Sequence, residues 1–512
     1  MPATAWFAQG STLPGAPGVK RLETTSTTWL KAAQELAAAG GRLLALWASH
    51  RGEAGDEVYA AIAAGPGVLV LSLPRSPSQR HYPNLSGSFP AAGRMQSALR
   101  DLSGLECGDW DKRPWLRHAA WQTRQPPLAA DPELPWGGDA VIDDYPFIRV
   151  EGDGVHEIAV GPVHAGIIEP GHFRFSVVGE KVLRLEQRLG YVHKGIEQRF
   201  QSLPVLQAHR LAARISGDSA VAYSWAYCQA LEGIAGVTIP ARAAHLRALA
   251  LELERIANHC GDLGALGNDA GFAFGLTQFS RLKEWVLRAT ELAFGQRYLF
   301  DLIEPGGTRV DIAAAGQAAL DHCLVQVVEQ SALVRRIYDD HAGVRDRFVG
   351  TGIVAPALAA QLGLCGFAAR ASGQPFDLRV DLPCDPYTAL EVTIAQQADG
   401  DVAARVAIRF DELLESCRLV RLILERLPSG PHQLGVPEPA AGALGIGLIE
   451  GWRGPVLVAL QAGRGGAVLR CHPHDSSWQN WPVLEHAVIG NIVPDFPLIN
   501  KSFNLSYSGH DL

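Results

Sequence analysis

Histidines and carboxylates gather in one short stretch of the chain, residues 161–200. Glycines and prolines punctuate this stretch and predict a hairpin-like path that brings five side chains together: His164, Glu169, His172, His193 and Glu197. Imidazoles and carboxylates beside an apolar bundle can relay protons, because burial and mutual contact move their pKa values toward neutrality. Each can equally be a structural residue with satisfied hydrogen bonds. We take Glu197, His193 and His172 as catalytic candidates.

Long amphipathic helices are predicted after this stretch and would position it. In residues 240–266 the apolar residues recur at steps of three and four, which is typical of a helix with one buried face. Residues 279–299, 313–341 and 410–427 show similar helical patterns. Strand-like pieces are predicted at 145–152, 156–164, 172–185, 376–396 and 446–471. This part of the chain is therefore predicted to be mainly helical, with small sheets at its edges.

The beginning of the chain has a different pattern. A helix is predicted at 28–39 and short apolar strands at 42–48 and 67–73, which indicates a small α/β domain over residues 1–118. Residues 119–143 carry Pro126, Pro127, Pro132 and Pro135 with few periodic apolar residues, and we predict a linker or extended arm there. The second domain spans residues 144–512. The predicted fold class is α+β.

Composition and charge argue against nucleic acid as a partner and against a membrane-spanning or disulfide-linked chain. The net charge is −8 with no basic stripe, which argues against nucleic acid. The sequence shows no signal-peptide pattern and no uninterrupted apolar run of about 18 residues, so we predict no transmembrane segment. The eight cysteines form no CxxC pair, and we expect them to be core thiols in a reducing compartment. We expect a cytoplasmic protein that reaches a membrane only through partners.

Several motifs carry a family resemblance. GPVH, EPGHFR and YVHKGIE within 161–197, LELERIANHCGDLGALGNDAGF at 251–272, EPGGTR at 304–309, and ARASG with FDLR at 369–379 resemble the large subunit of energy-converting nickel-iron hydrogenases of the formate hydrogenlyase and hydrogenase-4 type. They also resemble the homologous quinone-site subunit of complex I, the NADH-quinone oxidoreductase. FPAAGRMQSALRDLSGL and DKRPW resemble the partner subunit of complex I that is fused ahead of the large subunit in the hydrogenase branch. The resemblance implies a hydrogenase-large-subunit-like second domain.

The resemblance also marks four positions where the hydrogenases carry metal-binding cysteines. The early RxCGxC pattern reads Arg-Ile-Ser-Gly-Asp-Ser at 214–219, and the late SxDPCxxC pattern places its cysteines at 506 and 509. The residues at the four positions are Ser216, Ser219, Ser506 and Gly509. Nickel and iron require soft, deprotonated sulfur, whereas a serine hydroxyl is a hard oxygen that stays protonated near pH 7. We therefore predict no metal and no cofactor bound by this chain.

Loss of these cysteines also occurs in complex I, where the resemblance implies that a quinone head group occupies the same place. The donors expected there are absent, because Gly217 and Ile168 stand at their positions. His172, His193, Asp218 and Tyr223 remain as replacement donors, and we add Asp218 to the catalytic candidates. Glu197 matches a glutamate that, in this family, lies near the active cavity and passes protons onward.

The resemblance implies a subunit of a membrane-associated, ion-translocating respiratory oxidoreductase complex. A partner small subunit would carry an iron–sulfur cluster, and antiporter-like membrane subunits would hold the complex on the cytoplasmic face of the inner membrane. Electrons would reduce an acceptor, with quinone as a candidate, in a nickel-free cavity at the four positions, coupled to proton movement. Two alternatives stay open: a non-catalytic scaffold that joins the peripheral and membrane arms, and a hydrogenase with unusual ligands.

Overall fold

The computed structural model describes residues 3–108, 111–118, 126–129, 145–164 and 168–512. It contains about 45% helix and 19% strand, and the predicted α+β class is confirmed. Most of the predicted linker at 119–143 lies outside the described residues, as does the boundary with residue 144. Within the described residues, no helix combines the length and the apolar character needed to cross a membrane.

The first part of the chain forms a five-stranded sheet with helices. Its elements are α1 Ala3–Gln9, β1 Ser11–Thr12, β2 Val19–Glu23, α2 Ser26–Ala38, β3 Arg42–His50, β4 Asp56–Ala64, β5 Gly67–Arg75, β6 His81–Tyr82, α3 Ala92–Ser103 and β7 Glu106–Cys107. The strand order is β1-β2-β5-β4-β3, with β2 and β5 parallel and the other pairs antiparallel. The helix and the two strands predicted in this region are confirmed.

The later part is a helical bundle with small sheets at its edges. Its elements are β8 Val155–Val160, β9 His172–Val178, β10 Lys181–Arg188, α4 Ile196–Gln201, α5 His209–Ala212, α6 Ala220–Ile234, α7 Ala241–Asp269, α8 Ala273–Phe294, β11 Ile303–Glu304, β12 Gly307–Thr308, α9 Ala314–Asp340, α10 Ala342–Phe348, α11 Pro356–Leu362, α12 Gly366–Arg370, α13 Leu378–Asp381, α14 Val402–Glu425, β13 Leu444–Glu450, β14 Pro455–Ala462, β15 Val468–His474, α15 Ser477–Ala487, α16 Phe496–Phe503 and α17 Tyr507–Asp511. Helices α7, α8, α9 and α14 confirm the four long helical predictions.

Two of the strand predictions are wrong. Residues 376–396 contain α13 and a short 3-10 turn at Tyr387–Ala389 instead of a strand. The Asp377 side chain accepts a hydrogen bond from the Arg379 N–H and caps α13, and Pro383 and Pro386 could not donate to a sheet ladder. Residues 145–152 also form no strand; β8 begins only at Val155.

The five-stranded sheet is buried on both faces. One face packs on Trp6 of α1 and Trp29 of α2, and the other presents Trp47 and Tyr59 to the sheet β13-β14-β15. Strands β3, β4 and β5 therefore consist almost entirely of buried residues instead of alternating, as expected for a sheet covered on both sides. The two parts of the chain thus share an apolar contact.

Candidate functional site

The structure brings together the four positions at which the resemblance places metal-binding cysteines. We call this group the serine cluster; its members are Ser216, Ser219, Ser506 and Gly509. The hydroxyl oxygens of Ser216 and Ser506 lie 3.0 Å apart, and the Gly509 N–H donates to Ser506 Oγ at 2.8 Å. Ser216 and Ser219 both donate to Asp218 Oδ1, at 2.7 and 3.3 Å. Residues almost three hundred positions apart in the sequence therefore share one hydrogen-bonded group.

Two helix starts create this arrangement. Ser219 is the N-cap residue of α6, and Ser506 is the N-cap residue of α17, where its side chain accepts from Gly509. Helix α6 lies directly on β13, because a Cβ at Gly447 would stand only 1.7 Å from the Ala226 carbonyl oxygen. This close approach needs glycine on the strand. It fixes the start of α6 beside the turn that follows β13.

The turn after β13 contains Arg453, which was not among the candidates predicted from the sequence. Arg453 donates two hydrogen bonds to the Asp218 carboxylate, at 2.9 and 2.5 Å, while the indole N–H of Trp452 donates to the Asp218 carbonyl at 2.9 Å. Burial alone would raise the pKa of Asp218, but the Arg453 guanidinium outweighs burial and lowers the pKa to about 2. Asp218 is thus an anion near pH 7, although its side chain is 35% exposed.

The serine cluster does not fit a nickel–iron centre. Its hydroxyls are engaged with one another and with Asp218, and oxygen is the wrong donor for a bimetallic thiolate site. A Cβ at Gly509 would lie 2.9–3.0 Å from Ser506 Oγ, Asp475 Oδ2 and Tyr223 Oη, so a side chain at the fourth position would require these polar groups to shift. Among the described residues, no group of three or more His, Cys, Asp or Glu could hold a metal ion.

This crowding predicts the effect of restoring one cysteine. Gly509→Cys should lower the free energy of unfolding by about 1–3 kcal/mol, since the buried neighbours must shift to admit the side chain. The matched control is Gly217→Ala, because the nearest atom to a Cβ there is 3.8 Å away on Phe300. Urea denaturation of both variants checks this. Equal stability of Gly509→Cys and Gly217→Ala would show that the cluster can open.

Glu197 occupies a different site, at the start of α4. Its Oε1 accepts from Arg470 at 2.8 Å and from His472 Nδ1 at 2.6 Å, both on β15. Burial alone would raise the pKa of Glu197, but the charges of Arg470 and His472 outweigh it and lower the pKa to about 2. Within the described part of the chain, Glu197 Oε2 is buried without a hydrogen-bond partner.

A cavity of about 30 Å³ lies beside Glu197, enough for one or two water molecules. Residues from both parts of the chain line it, including Trp47, Met95, His472 and Trp478. Imidazole and indole rings extend away from this cavity. The ring centroids of His472 and His474 lie 5.9 Å apart, and Trp478 stacks on His510 with a centroid distance of 4.0 Å. Glu197 thus faces the contact between the five-stranded sheet and β15.

The other two predicted histidines lie apart from the serine cluster in their hydrogen bonding. His193 Nδ1 donates to the Asp511 carbonyl at 2.7 Å, which ties the loop before α4 to α17. His172 Nδ1 donates to the Gly161 carbonyl at 3.2 Å at the start of β9. Burial is the main cause that lowers the pKa of His193. Neither contact assigns a chemical role, and the roles of His172 and His193 remain predictions.

A larger pocket opens beside Asp218. It has a volume of about 250 Å³ and combines apolar residues with polar ones: Gly217, Asp218, Leu253, Glu254, Ala257, Asn258, Lys283, Leu287, Thr290, Arg297, Tyr298 and Leu299. Glu254 accepts the N–H of Val221 at 2.8 Å, at the first turn of α6. Burial and the nearby Asp218 charge raise the pKa of Glu254 to about 8. Sequence inspection missed Glu254, because its position on α7 matches an ordinary exposed helix face.

Comparison with known proteins adds an independent line of evidence. The family model described as respiratory-chain NADH dehydrogenase, 49 Kd subunit, matches residues 269–441. Formate hydrogenlyase subunit 5 of Escherichia coli (strain K12) is 30% identical over 443 residues, which cover 84% of this chain and 77% of that protein. Hydrogenase-4 component G of the same organism is 30% identical over 437 residues, 84% of this chain and 76% of that protein.

A third relative represents the other branch of the predicted resemblance. A subunit of the NADH-quinone oxidoreductase of Clostridium beijerinckii is 28% identical over 347 residues, which cover 67% of this chain and 94% of that protein. The matches to the first two relatives cover most of both proteins, so the relationship extends well beyond short motifs. The chain therefore belongs to the family of large subunits that includes formate hydrogenlyase subunit 5, hydrogenase-4 component G and their NADH-quinone oxidoreductase homologue.

Proposed function

We propose that this chain is the large subunit of a membrane-associated respiratory oxidoreductase complex, and that it passes electrons to an acceptor bound beside Asp218. An iron–sulfur cluster in a partner small subunit supplies the electrons, and antiporter-like membrane subunits anchor the complex at the cytoplasmic face of the inner membrane. The observation that carries the proposal is the pocket of about 250 Å³ next to a serine cluster that offers no metal ligands. The relatives, a formate hydrogenlyase subunit, a hydrogenase-4 component and an NADH-quinone oxidoreductase subunit, support an oxidoreductase complex.

The pocket suits a quinone head group. Quinone reduction needs an apolar slot and proton donors at the carbonyl oxygens. Leu253 and Leu287 supply apolar surface, and Lys283 supplies an N–H donor. Because its pKa is raised to about 8, Glu254 is mostly protonated at pH 7 and can donate a proton. The acceptor site therefore lies beside the serine cluster instead of inside it, which modifies the location expected from sequence.

Glu254→Gln tests the proton donor. In the purified complex, with the iron–sulfur cluster reduced, quinone-dependent reoxidation of the cluster should slow by about 10²-fold or more, because the amide cannot supply a proton. Stopped-flow absorbance or freeze-quench EPR measures this rate. Glu53→Gln, an exposed carboxylate in the turn between β3 and β4, is the control. Absence of reoxidation by any quinone in the wild-type complex would remove quinone as the acceptor.

Elemental analysis tests the absence of nickel. The purified chain should contain no stoichiometric nickel, because the serine cluster supplies only hydroxyl oxygens and a glycine. The measurement is inductively coupled plasma mass spectrometry of the complex, with the iron of the partner cluster as an internal standard. About one nickel per chain would instead support a hydrogenase with unusual ligands.

A scaffold role is the second candidate. It is favoured by the mutual hydrogen bonds of Ser216 and Ser506, which close the place where the hydrogenases bind their metals. A scaffold that only joins the peripheral and membrane arms would not need a protonated Glu254. Under this alternative, Glu254→Gln leaves the reoxidation rate and coupled transport unchanged.

A further inference from the structure

A buried charged cluster lies behind the turn that carries Arg453. It joins α7, α12, α13, α14 and the end of β13, and every charged side chain in it is at most 4% exposed. Its members are the carboxylates Glu252, Asp377, Glu412 and Glu450 and the guanidiniums Arg255, Arg370 and Arg379. Four carboxylates thus face three guanidiniums. The cluster carries one acidic group without a matching cation.

Two groups beside the cluster, His259 and Arg409, could add positive charge. His259 Nε2 contacts Glu412 at 3.0 Å, and burial lowers the pKa of His259, which favours the neutral ring. The adjacent buried pair of Arg409 and Asp262 is balanced within itself, at 3.0 Å. An isolated carboxylate without compensation is costly in a buried position, and such a group binds a proton instead. Protonation of one carboxyl would balance the charges of these seven side chains.

The hydrogen bonds that each carboxyl accepts identify Glu450 as the carboxyl that holds the proton. Asp377 receives two N–H groups from the Arg379 guanidinium, at 3.1 and 2.8 Å. Glu412 receives Arg370 Nε at 2.7 Å and His259, while Glu252 receives the hydroxyls of Tyr387 and Ser416. These three carboxylates all have short contacts with strong donors.

Glu450 accepts weaker hydrogen bonds than the other three carboxyls. Its Oε1 accepts Arg370 Nη1 at 3.1 Å, and that same nitrogen also donates to the Phe376 carbonyl and lies 3.4 Å from Asp377. Among the described residues, its Oε2 accepts the Leu378 N–H alone, at 3.2 Å. Burial and the Asp377 charge raise the pKa of Glu450, against the lowering effects of Arg370, Arg255 and Arg379, to about 7.

We propose that Glu450 is an internal proton-binding site, which holds the one exchangeable proton of this cluster and gives it up or takes it back when the charge beside Asp218 changes. In this step the Glu450 carboxyl releases its O–H proton to solvent and becomes a carboxylate, or regains a proton from solvent, and no bond between heavy atoms changes. The covalent connection is short, because Glu450 is followed by Gly451, Trp452 and Arg453, and the last two hold Asp218. Arg255 also donates to the Glu450 and Gly451 carbonyls, at 2.7 and 3.1 Å, and fixes the turn to the cluster.

The use of this proton in electron transfer rests on the proposed function; its existence does not. Infrared titration of the purified full chain tests its existence. Because Glu254 is also protonated near pH 7, the host is Glu254→Gln. In this host a carboxylic-acid absorption should disappear as the pH is raised through about 7, and Glu450→Gln in the same host should lack it. Persistence of the absorption in the double variant, or its absence from the host, would overturn the assignment.

Thermal unfolding gives a second measurement that does not depend on spectral assignment. A carboxyl whose pKa is raised in the folded state adds stability at low pH, and this stability is lost as the pH rises from about 4.5 to about 7. Glu450→Gln keeps its neutral side chain, so its Tm minus that of the wild type should become more positive over this interval. Glu232→Gln is the control, since Glu232 has its own partner, Arg247, at 2.6 Å. A pH-independent Tm difference for Glu450→Gln would overturn the proposal.

The two proposals can fail separately. If the infrared absorption titrates but the partner cluster is not reoxidised by any acceptor, the proton site stands and the proposed function fails. If reoxidation proceeds but Glu450 shows no titration, the proposed function stands and this inference fails. With both present, Glu450→Gln should remove the pH dependence of the reoxidation rate near pH 7.

Discussion

Replacing Arg370 by methionine should lower the free energy of unfolding by about 3–5 kcal/mol, because it leaves buried carboxylates without their cation. Arg370 is fully buried and contacts Glu412 at 2.7 Å, Glu450 at 3.1 Å and Asp377 at 3.4 Å. Methionine matches the length of arginine as far as Nε but has no guanidinium and supplies no N–H. Two guanidiniums would then face four carboxyls, so a further carboxyl would have to bind a proton or contact water, and both cost free energy.

Urea denaturation at pH 7 measures this effect. Arg288→Met is the matched control, since Arg288 is 70% exposed and pairs with Glu284 one helical turn away. Exposed pairs of this kind contribute about 0–1 kcal/mol. If Arg370→Met were no less stable than Arg288→Met, the buried cluster would not be held by its charges, and the charge count behind the Glu450 proposal would lose its meaning.

Glu197→Gln should lower the free energy of unfolding at pH 7 by about 3 kcal/mol, the equivalent of the lowered pKa of this buried group. The folded-state pKa of about 2 lies below the unfolded value of 4.5. The ionised carboxylate therefore contributes stability that is present above about pH 4.5 and is lost as the pH falls toward about 2. The deficit of Glu197→Gln relative to wild type should shrink over that range.

The same variant separates the two candidate functions. In the oxidoreductase, Glu197→Gln should abolish coupled ion transport in membrane vesicles, because the variant loses the anionic carboxylate beside the cavity. In a scaffold, transport would be unchanged. Asp411→Asn is the control for both measurements, since Asp411 forms a partly exposed pair with Arg335. An equal loss of stability in Asp411→Asn would contradict the importance of burial at Glu197.

The long helices could be predicted from sequence because their apolar spacing is a local signal. The leucines and the isoleucine of 240–266 all become part of the core on α7, and the predictions for α8, α9 and α14 hold for the same reason. Residues 376–396 misled the strand prediction because the alternating residues serve different purposes. Asp377 and Arg379 alternate with apolar residues, yet they are buried in the charged cluster. Tertiary charge pairing outweighed the local pattern.

The candidate site likewise combines features that the sequence predicts with features that it does not. Sequence motifs identified the four positions of the serine cluster, because the replacement of cysteine by serine or glycine can be recognised from the amino-acid sequence alone. The same comparison identified Glu197 but not its ionised state, which depends on Arg470 and His472 more than 270 residues later. Arg453, Glu254 and Glu450 carry no local signal, since an isolated charged residue reads as a surface residue.

The amino-acid sequence by itself therefore determined the family, the long helices and the loss of thiolate ligands, all of which follow from residue types at short spacing. Only the tertiary structure decided which carboxyls are charged. Asp218, with a guanidinium at 2.5 Å, is an anion, whereas Glu254 and Glu450, similarly acidic as free side chains, hold protons near pH 7. The reason is physical: burial and the distance to each neighbouring charge set a pKa, and both exist only once the chain has folded.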